Sequence, residues 1–383
     1  NSSGDEWRDQ RRLALMIMRD FGMGKNRMEQ LVHESIGDYL DNLKHIKSRV
    51  VIDMRWPIQL MISNVINQTL FGFRYKMDDC EELKEYVAGV NQLLHDFVAT
   101  PYFFFALSFP WFDRIPFFGY HAVTKHQRNM AKLIDYSRRH IKTALADFDV
   151  EHDEPMCVVH DYAVRMQSNP EELTEEQMLA TVHDLLVNAH ETTGSTMRWC
   201  MLYLARHQEM QERMRQEIFA AVGRARLPRM SDRLQMPYTV AFIHEVQRHG
   251  NIIGLNILHR TVEDTHCRGF KIPANTFVNG DLHYIHRKDP AFRDADQFDP
   301  MRYLNADGSL NKCVVDRTIA FSIGKRQCPG EGLARMELFL CTAATVQHFR
   351  IAPPNGGAES LSHESMPKFL LMPVQSTIAI ERV

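Results

Sequence analysis

A ten-residue run, Phe321-Ser322-Ile323-Gly324-Lys325-Arg326-Gln327-Cys328-Pro329-Gly330, places a thiol, two glycines and an arginine directly before a helix-forming stretch. A cysteine at a helix start meets backbone amides and the positive end of the dipole, which lower a thiol pKa and favour the metal-binding thiolate. Gly324 and Gly330 permit a tight turn and close approach of backbone to a flat ligand. Arg326, two residues before the thiol, can reach an anionic group at that ligand's edge. A lone cysteine reads as a buried structural thiol, and Cys80, Cys157, Cys200, Cys267, Cys313 and Cys341 are read that way.

Three further constellations carry possible chemistry. Glu245 and Arg248, at i and i+3, share a helix face within pairing distance; alone they would be an ordinary surface salt bridge. Asn188-Ala189-His190-Glu191-Thr192-Thr193 sets an acid beside a hydroxyl in a long helical pattern. Such a pair can relay protons, and a Thr hydroxyl can bond a preceding helical carbonyl and open a local groove. Trp7 and Arg11 share one face at i, i+4. Competing patterns fail on spacing. His244-Glu245 and His249 resemble a zinc protease motif with one residue too many, which sets the histidines about 140° apart around a helix. Gly22-Met23-Gly24 lacks the third glycine of a dinucleotide fingerprint, since Arg27 stands in its place.

The elements that must position these groups follow from composition and periodicity. The 383 residues are 44% hydrophobic and 24% charged, which excludes a disordered, collagen-like or coiled-coil chain. A formal charge of −3 gives no global signature of nucleic-acid binding. Seven scattered cysteines predict reduced thiols, not a disulfide framework. Helical periodicity dominates from residue 5 to about 249, beginning with a helix over Asp5 to Arg19. Trp56 to Phe73 reads as an amphipathic core helix opened by Pro57, and a long helix runs from Thr174 to about Arg206 behind a capping box. Short β-type runs follow at Asn251–Leu258 and Thr276–Asn279. One more helix spans about Glu331 to Phe349, and the tail reads as a hairpin of Lys368–Val374 with Ser376–Glu381. The fold class is mainly α with a minor β portion (α+β). The Pro-broken aromatic stretch from Phe97 to Phe118 suits a channel lining, an interfacial membrane contact or a loop folded on the core.

The ten-residue run resembles the haem-binding loop of cytochromes P-450, F-x-x-G-x-R-x-C-x-G, at every specified position. The resemblance covers essentially the whole chain and is to the microsomal, drug- and lipid-metabolising branch of animals. It implies that Cys328 is the axial thiolate on haem iron, with Phe321, Gly324, Arg326 and Gly330 shaping the loop; thiolate ligation favouring O–O cleavage in this class is general knowledge of such haems. It implies a buried Glu245–Arg248–Arg302 cluster bracing the loop, Arg302 coming from Phe298-Asp299-Pro300-Met301-Arg302. Trp7, Arg11, His259 and Arg326 would clamp the haem propionates. Glu191 and Thr192 would deliver protons for dioxygen activation, with Asn188 and Ala189 departing from the family's usual small apolar residue and glycine.

The function so implied is insertion of one oxygen atom from O2 into a lipophilic small molecule. Electrons would come from NADPH only indirectly, through a separate reductase, with a cytochrome b-type protein as a further donor. Substrate would lie among Val187, Ala189, Ile252, Ile253, Leu255, Leu258 and Phe369, beneath the aromatics. Two alternatives stand beside this reading: a haem-binding protein without turnover, and a haem-thiolate isomerase or dehydratase needing no reductase. Residues 1–249 would be the mainly helical part and 250–383 the β-containing part of one domain. That domain is expected to be incomplete at its N-terminus, lacking an anchor and the first sheet strands. The expected partners are the reductase and a membrane surface, not nucleic acid, at the cytosolic face of the endoplasmic reticulum.

Overall fold

The computed structural model describes residues 4–20, 26–99, 109–117, 123–171, 173–355, 357, 361, 365–366 and 370–383. The first half holds α1 (Gly4–Asp20), α2 (Asn26–Leu43), β1 (Val50–Asp53), α3 (Arg55–Phe71), α4 (Glu81–Ala99), α5 (Lys125–Leu145), α6 (Val158–Ser168) and α7 (Glu175–Arg206). Then come α8 (Gln208–Ala221), α9 (Pro237–Gly250), β2 (His259–Arg260), β3 (Thr265–Cys267), β4 (Phe270–Ile272), β5 (Phe277–Val278) and α10 (Leu282–Lys288). The chain ends with α11 (Lys312–Arg317), α12 (Glu331–His348), β6 (Phe349–Ala352), β7 (Ser365–Met366), β8 (Met372–Pro373) and β9 (Thr377–Arg382). All seven cysteines are free thiols.

The long helix α7 organises the molecule, packing against α3, α5, α9 and α12. Its start is fixed by the expected capping box: Gln177 N donates to Thr174 Oγ1 at 3.2 Å and Thr174 N to Gln177 Oε1 at 3.0 Å. At Gly194 the partner helix α3 comes so close that a Cβ would lie 2.9 Å from Gln59 Oε1 and would force that side chain to shift.

Four expectations about elements are corrected. Helix α3 is not amphipathic but buried almost all round, its polar residues included. Asn64 ties to the backbone of Tyr75 in both directions, at 2.8 and 2.9 Å, and Gln59 donates to His190 O at 3.2 Å. These internal bonds let polar side chains enter the core. The strand β1 falls inside the part read as helical; its exposed residues give no burial alternation to detect. Residues 251–258 are irregular, with only Leu255 bridging Asp281, and the strand pairing lies at His259–Arg260 against Phe277–Val278. The tail is not a single hairpin. Ser365–Met366 pairs with Met372–Pro373, while β9 inserts between β1 and β6, antiparallel to both.

Of the aromatic stretch, Tyr102, Phe103, Phe104, Phe105 and Phe118 lie outside the described residues. Phe109, Trp111 and Phe117 face solvent around a short 3-10 turn, Pro110–Arg114. No described helix is long and apolar enough to cross a membrane.

Candidate haem-thiolate site

The Cys loop folds back on itself before α12. Cys328 N donates to Phe321 O at 2.9 Å and Gln327 N to Gly324 O at 3.1 Å, closing a turn over Gly324–Arg326. Gly324 holds φ +80°, a left-handed conformation that favours glycine. Gly330 stands at the cap of α12, where an added Cβ would lie 3.9 Å from Cys328 Sγ. Cys328 is exposed at the loop mouth, yet enough of the loop packs round its sulfur to raise the thiol pKa by desolvation. The amides of Gly330 and Glu331 pull the other way without prevailing. The expected lowering is therefore reversed in the protein alone: two amides do not offset the lost hydration.

Two arginines converge beside this loop. The Arg326 guanidinium stacks 3.6 Å from the centre of the Trp7 ring, and Arg11 lies 5.9 Å from the same ring. Arg11 also donates to Gln327 O, pinning α1 to the residue before the thiol. Burial and the neighbouring Arg11 charge both depress the Arg326 pKa. Like charges held together across an indole make a receptor for anions. His259 is not drawn into this cluster: its ring bonds Ile257 O at 2.7 Å. Its segment does reach the loop, through Asn256 Nδ2 donating to Ser322 Oγ at 3.1 Å.

Glu245, Arg248 and Arg302 come together in the interior. Arg248 grips Glu245 through two bonds of 2.7 Å, and Arg302 Nε donates to Glu245 Oε1 at 3.2 Å. Asp299 N adds a bond of 2.8 Å to the same oxygen. The remaining guanidinium donors reach the carbonyls of His286, Gln297, Arg293 and Asp294. Burial opposes the Arg248 charge, but Glu245 more than offsets it and the pKa rises. The Glu245 spacing that mimicked a zinc motif separates on inspection. His244 is buried and held neutral, its pKa down to about 3, while His249 bonds Tyr203 Oη and Asp296 O.

On α7, Glu191 and Thr192 diverge. Thr192 Oγ1 donates to Asn188 O at 2.8 Å, the back-bond that opens a helix groove. Glu191 is committed to a buried pair with Arg198 at 2.8 Å, supported by Ser195 and by Asn91 from α4. Arg198, Ser195 and Asn91 escaped the sequence reading. An arginine two helical turns after Glu191, inside an apolar run, was the available signal. Val187, Ala189 and Ile252 are half-buried against the main core, as is Ile253 within its loop. Leu255 and Leu258 are instead exposed, and Phe369 lies outside the described residues. Leu371 N donates to Ile252 O at 2.7 Å, which brings the tail beside that segment.

A single thiol at a glycine-shaped loop, beneath two guanidiniums and an indole, is a donor set that fits an iron-bearing flat ring with carboxylate arms. The family model described as Cytochrome P450 matches residues 1–379. The chain belongs to the cytochrome P450 family. It is 32% identical to cytochrome P450 2J5 of Mus musculus over 389 residues, covering all of this chain and 74% of that protein. It is 34% identical to cytochrome P450 2F5 of Gorilla gorilla gorilla, over 92% of this chain and 70% of that one. For cytochrome P450 2E1 of Mus musculus the values are 32%, 91% and 70%. As a cytochrome P450 the protein is a haem-dependent monooxygenase that uses O2.

Proposed function

We propose that Cys328 is the single protein ligand of the haem iron and that the protein oxygenates lipophilic small molecules with electrons from an NADPH-dependent reductase. The convergence of Trp7, Arg11 and Arg326 on the residue next to Cys328 supports this most directly. Bound haem supplies the dioxygen chemistry. The chain's own residues do the rest. Arg11 and Arg326 bind carboxylate arms, with Trp7 holding the two side chains in place, and His259 lends a further contact from the segment beside the loop. The Glu245–Arg248–Arg302 cluster fixes α9 so that the loop keeps its shape. Thr192 holds a proton at the α7 groove, and Glu191, paired with Arg198, stands behind it in the relay. Val187, Ala189, Ile252 and Ile253 exclude water from an apolar substrate, with Leu255, Leu258 and Phe369 at the margin.

Residues 1–383 belong to one catalytic domain, helical to about 249 and β-containing beyond. It works against the cytosolic face of the endoplasmic reticulum membrane, where a cytochrome b-type donor also has access. In the deciding experiment, Cys328→Ser is reduced under carbon monoxide. Loss of the red-shifted Soret band is expected, and its survival would overturn the ligand assignment.

A further inference from the structure

Away from the Cys loop and the buried triad, a small cavity lies where α9, α12 and the 3-10 turn Met230–Gln235 meet. Arg233, His244, Gln247 and Arg335 supply its polar lining, and apolar side chains close the remainder. The centre of a water-sized sphere can move through about 10 Å³ of it, room for one atom-sized occupant and no polyatomic ligand.

The lining is rich in donors and poor in acceptors. His244 is only 2% exposed, and its Nδ1 has no hydrogen-bond partner. Among the described residues, the Arg233 guanidinium makes no hydrogen bond or ion pair, while Arg335 gives its Nε to Glu331 at 2.7 Å. The charged groups around the space are therefore two guanidiniums and one carboxylate, a net positive charge. Burial and both arginines keep His244 neutral, so its unpartnered Nδ1 is a donor in one tautomer and an acceptor in the other. A water carries no net charge and would leave the excess guanidinium charge uncompensated. A monatomic anion would take every donor and neutralise the excess charge.

We propose that this cavity is a halide site, filled by chloride in ordinary buffers. The anion joins α9, which carries Glu245 and Arg248, to α12, which leaves the Cys loop. Arg335 extends the link, because its guanidinium also lies 4.9 Å from the centre of the Phe321 ring at the start of that loop. Halide should therefore slow loss of haem without touching the haem pocket.

The test uses the haem-loaded protein, exchanged into gluconate and titrated with bromide. Crystals grown in bromide should give an anomalous peak between Arg233, Arg335 and His244. The half-life of haem transfer to an apoglobin, and the unfolding midpoint, should rise with bromide and saturate. Arg233→Gln, on a half-buried turn outside the triad and the loop, should lose both the peak and the saturable response. A water without anomalous signal in the cavity would overturn the proposal, as would an equal bromide response in Arg233→Gln.

Discussion

The two charged clusters of this cytochrome P450, Glu245–Arg248–Arg302 and Trp7–Arg11–Arg326, are built on opposite plans. The first satisfies itself. Glu245 and Arg248 are almost wholly buried, and its donors end on a carboxylate or on backbone carbonyls of its own chain. The second gathers like charges at a half-buried aromatic ring beside an accessible loop, where burial and the Arg11 charge depress the Arg326 pKa. A cluster that closes on itself fixes architecture. A cluster held against its own repulsion is complementary to an anion.

The sharpest way to break this distinction is Glu245→Ala, which would leave two guanidiniums buried without their carboxylate. Removing one partner of a buried pair costs roughly 3–5 kcal/mol, against a whole-domain stability of about 5–15 kcal/mol. Little soluble, haem-loaded protein is expected, and normal haem content with an unchanged unfolding midpoint would show that the triad carries no structural weight.

Acid should also separate the clusters. His244 lies within the triad's helix and His286 accepts from Arg248 through its carbonyl; burial lowers their pKa values to about 3 and about 4. A histidine depressed on folding adds stability that is complete above its unfolded pKa near 6.5 and drains as pH falls toward the folded value. Each of the two should cost about 1.4 kcal/mol per pH unit through that window. Urea midpoints measured between pH 7 and pH 5 should fall accordingly, and a flat profile would mean that these rings are hydrated.

Arg326→Gln tests the other plan. It should leave the stability of the haem-free chain within about 0.5 kcal/mol. Haem affinity should drop about 10- to 100-fold, the worth of a charge-assisted hydrogen bond at roughly 1.5–3 kcal/mol. Haem titration by absorbance and urea unfolding of the same sample give both numbers; equal losses in both would make this cluster structural too. The smallest energetic change is expected for Thr192→Ala, which deletes one back-bond to Asn188 O at under about 0.5 kcal/mol. Product formed per electron consumed should nevertheless fall, with peroxide released, and unchanged coupling would move the proton from Thr192 to another group.

What was legible in the sequence was whatever a fixed spacing determines. Glu245 and Arg248 are one turn apart, and the loop from Phe321 to Gly330 is contiguous, so local pattern showed the pairing and the turn, while burial of the pair and the role of Cys328 came from the family resemblance. The convergence of Trp7 and Arg11 with Arg326 needed the family resemblance, because the partners lie at opposite ends of the chain. The all-round burial of α3 was illegible: Gln59, Asn64 and Thr69 look solvent-facing until His190, Tyr75 and Val65 meet them. Glu191 was assigned a proton-relay role without its counter-charge, since helix periodicity gave no reason to prefer Arg198 over any other neighbour. The tail strands alternated as a hairpin would, but pairing partners are chosen by tertiary packing, not by alternation.

The sheet order β1-β9-β6 has a consequence for synthesis. Among the described strands, the middle one of this sheet is the last along the chain, and its neighbour β1 is the first. At about 5–20 residues per second, β1 must wait on the order of tens of seconds for its partner. During that time Val50 and Val51 stand beside an open strand edge, the kind of edge that recruits neighbouring chains. A stop codon just before Thr377 would spare the Cys loop, the triad and the arginine cluster. It would still leave both outer strands waiting for a partner that never emerges.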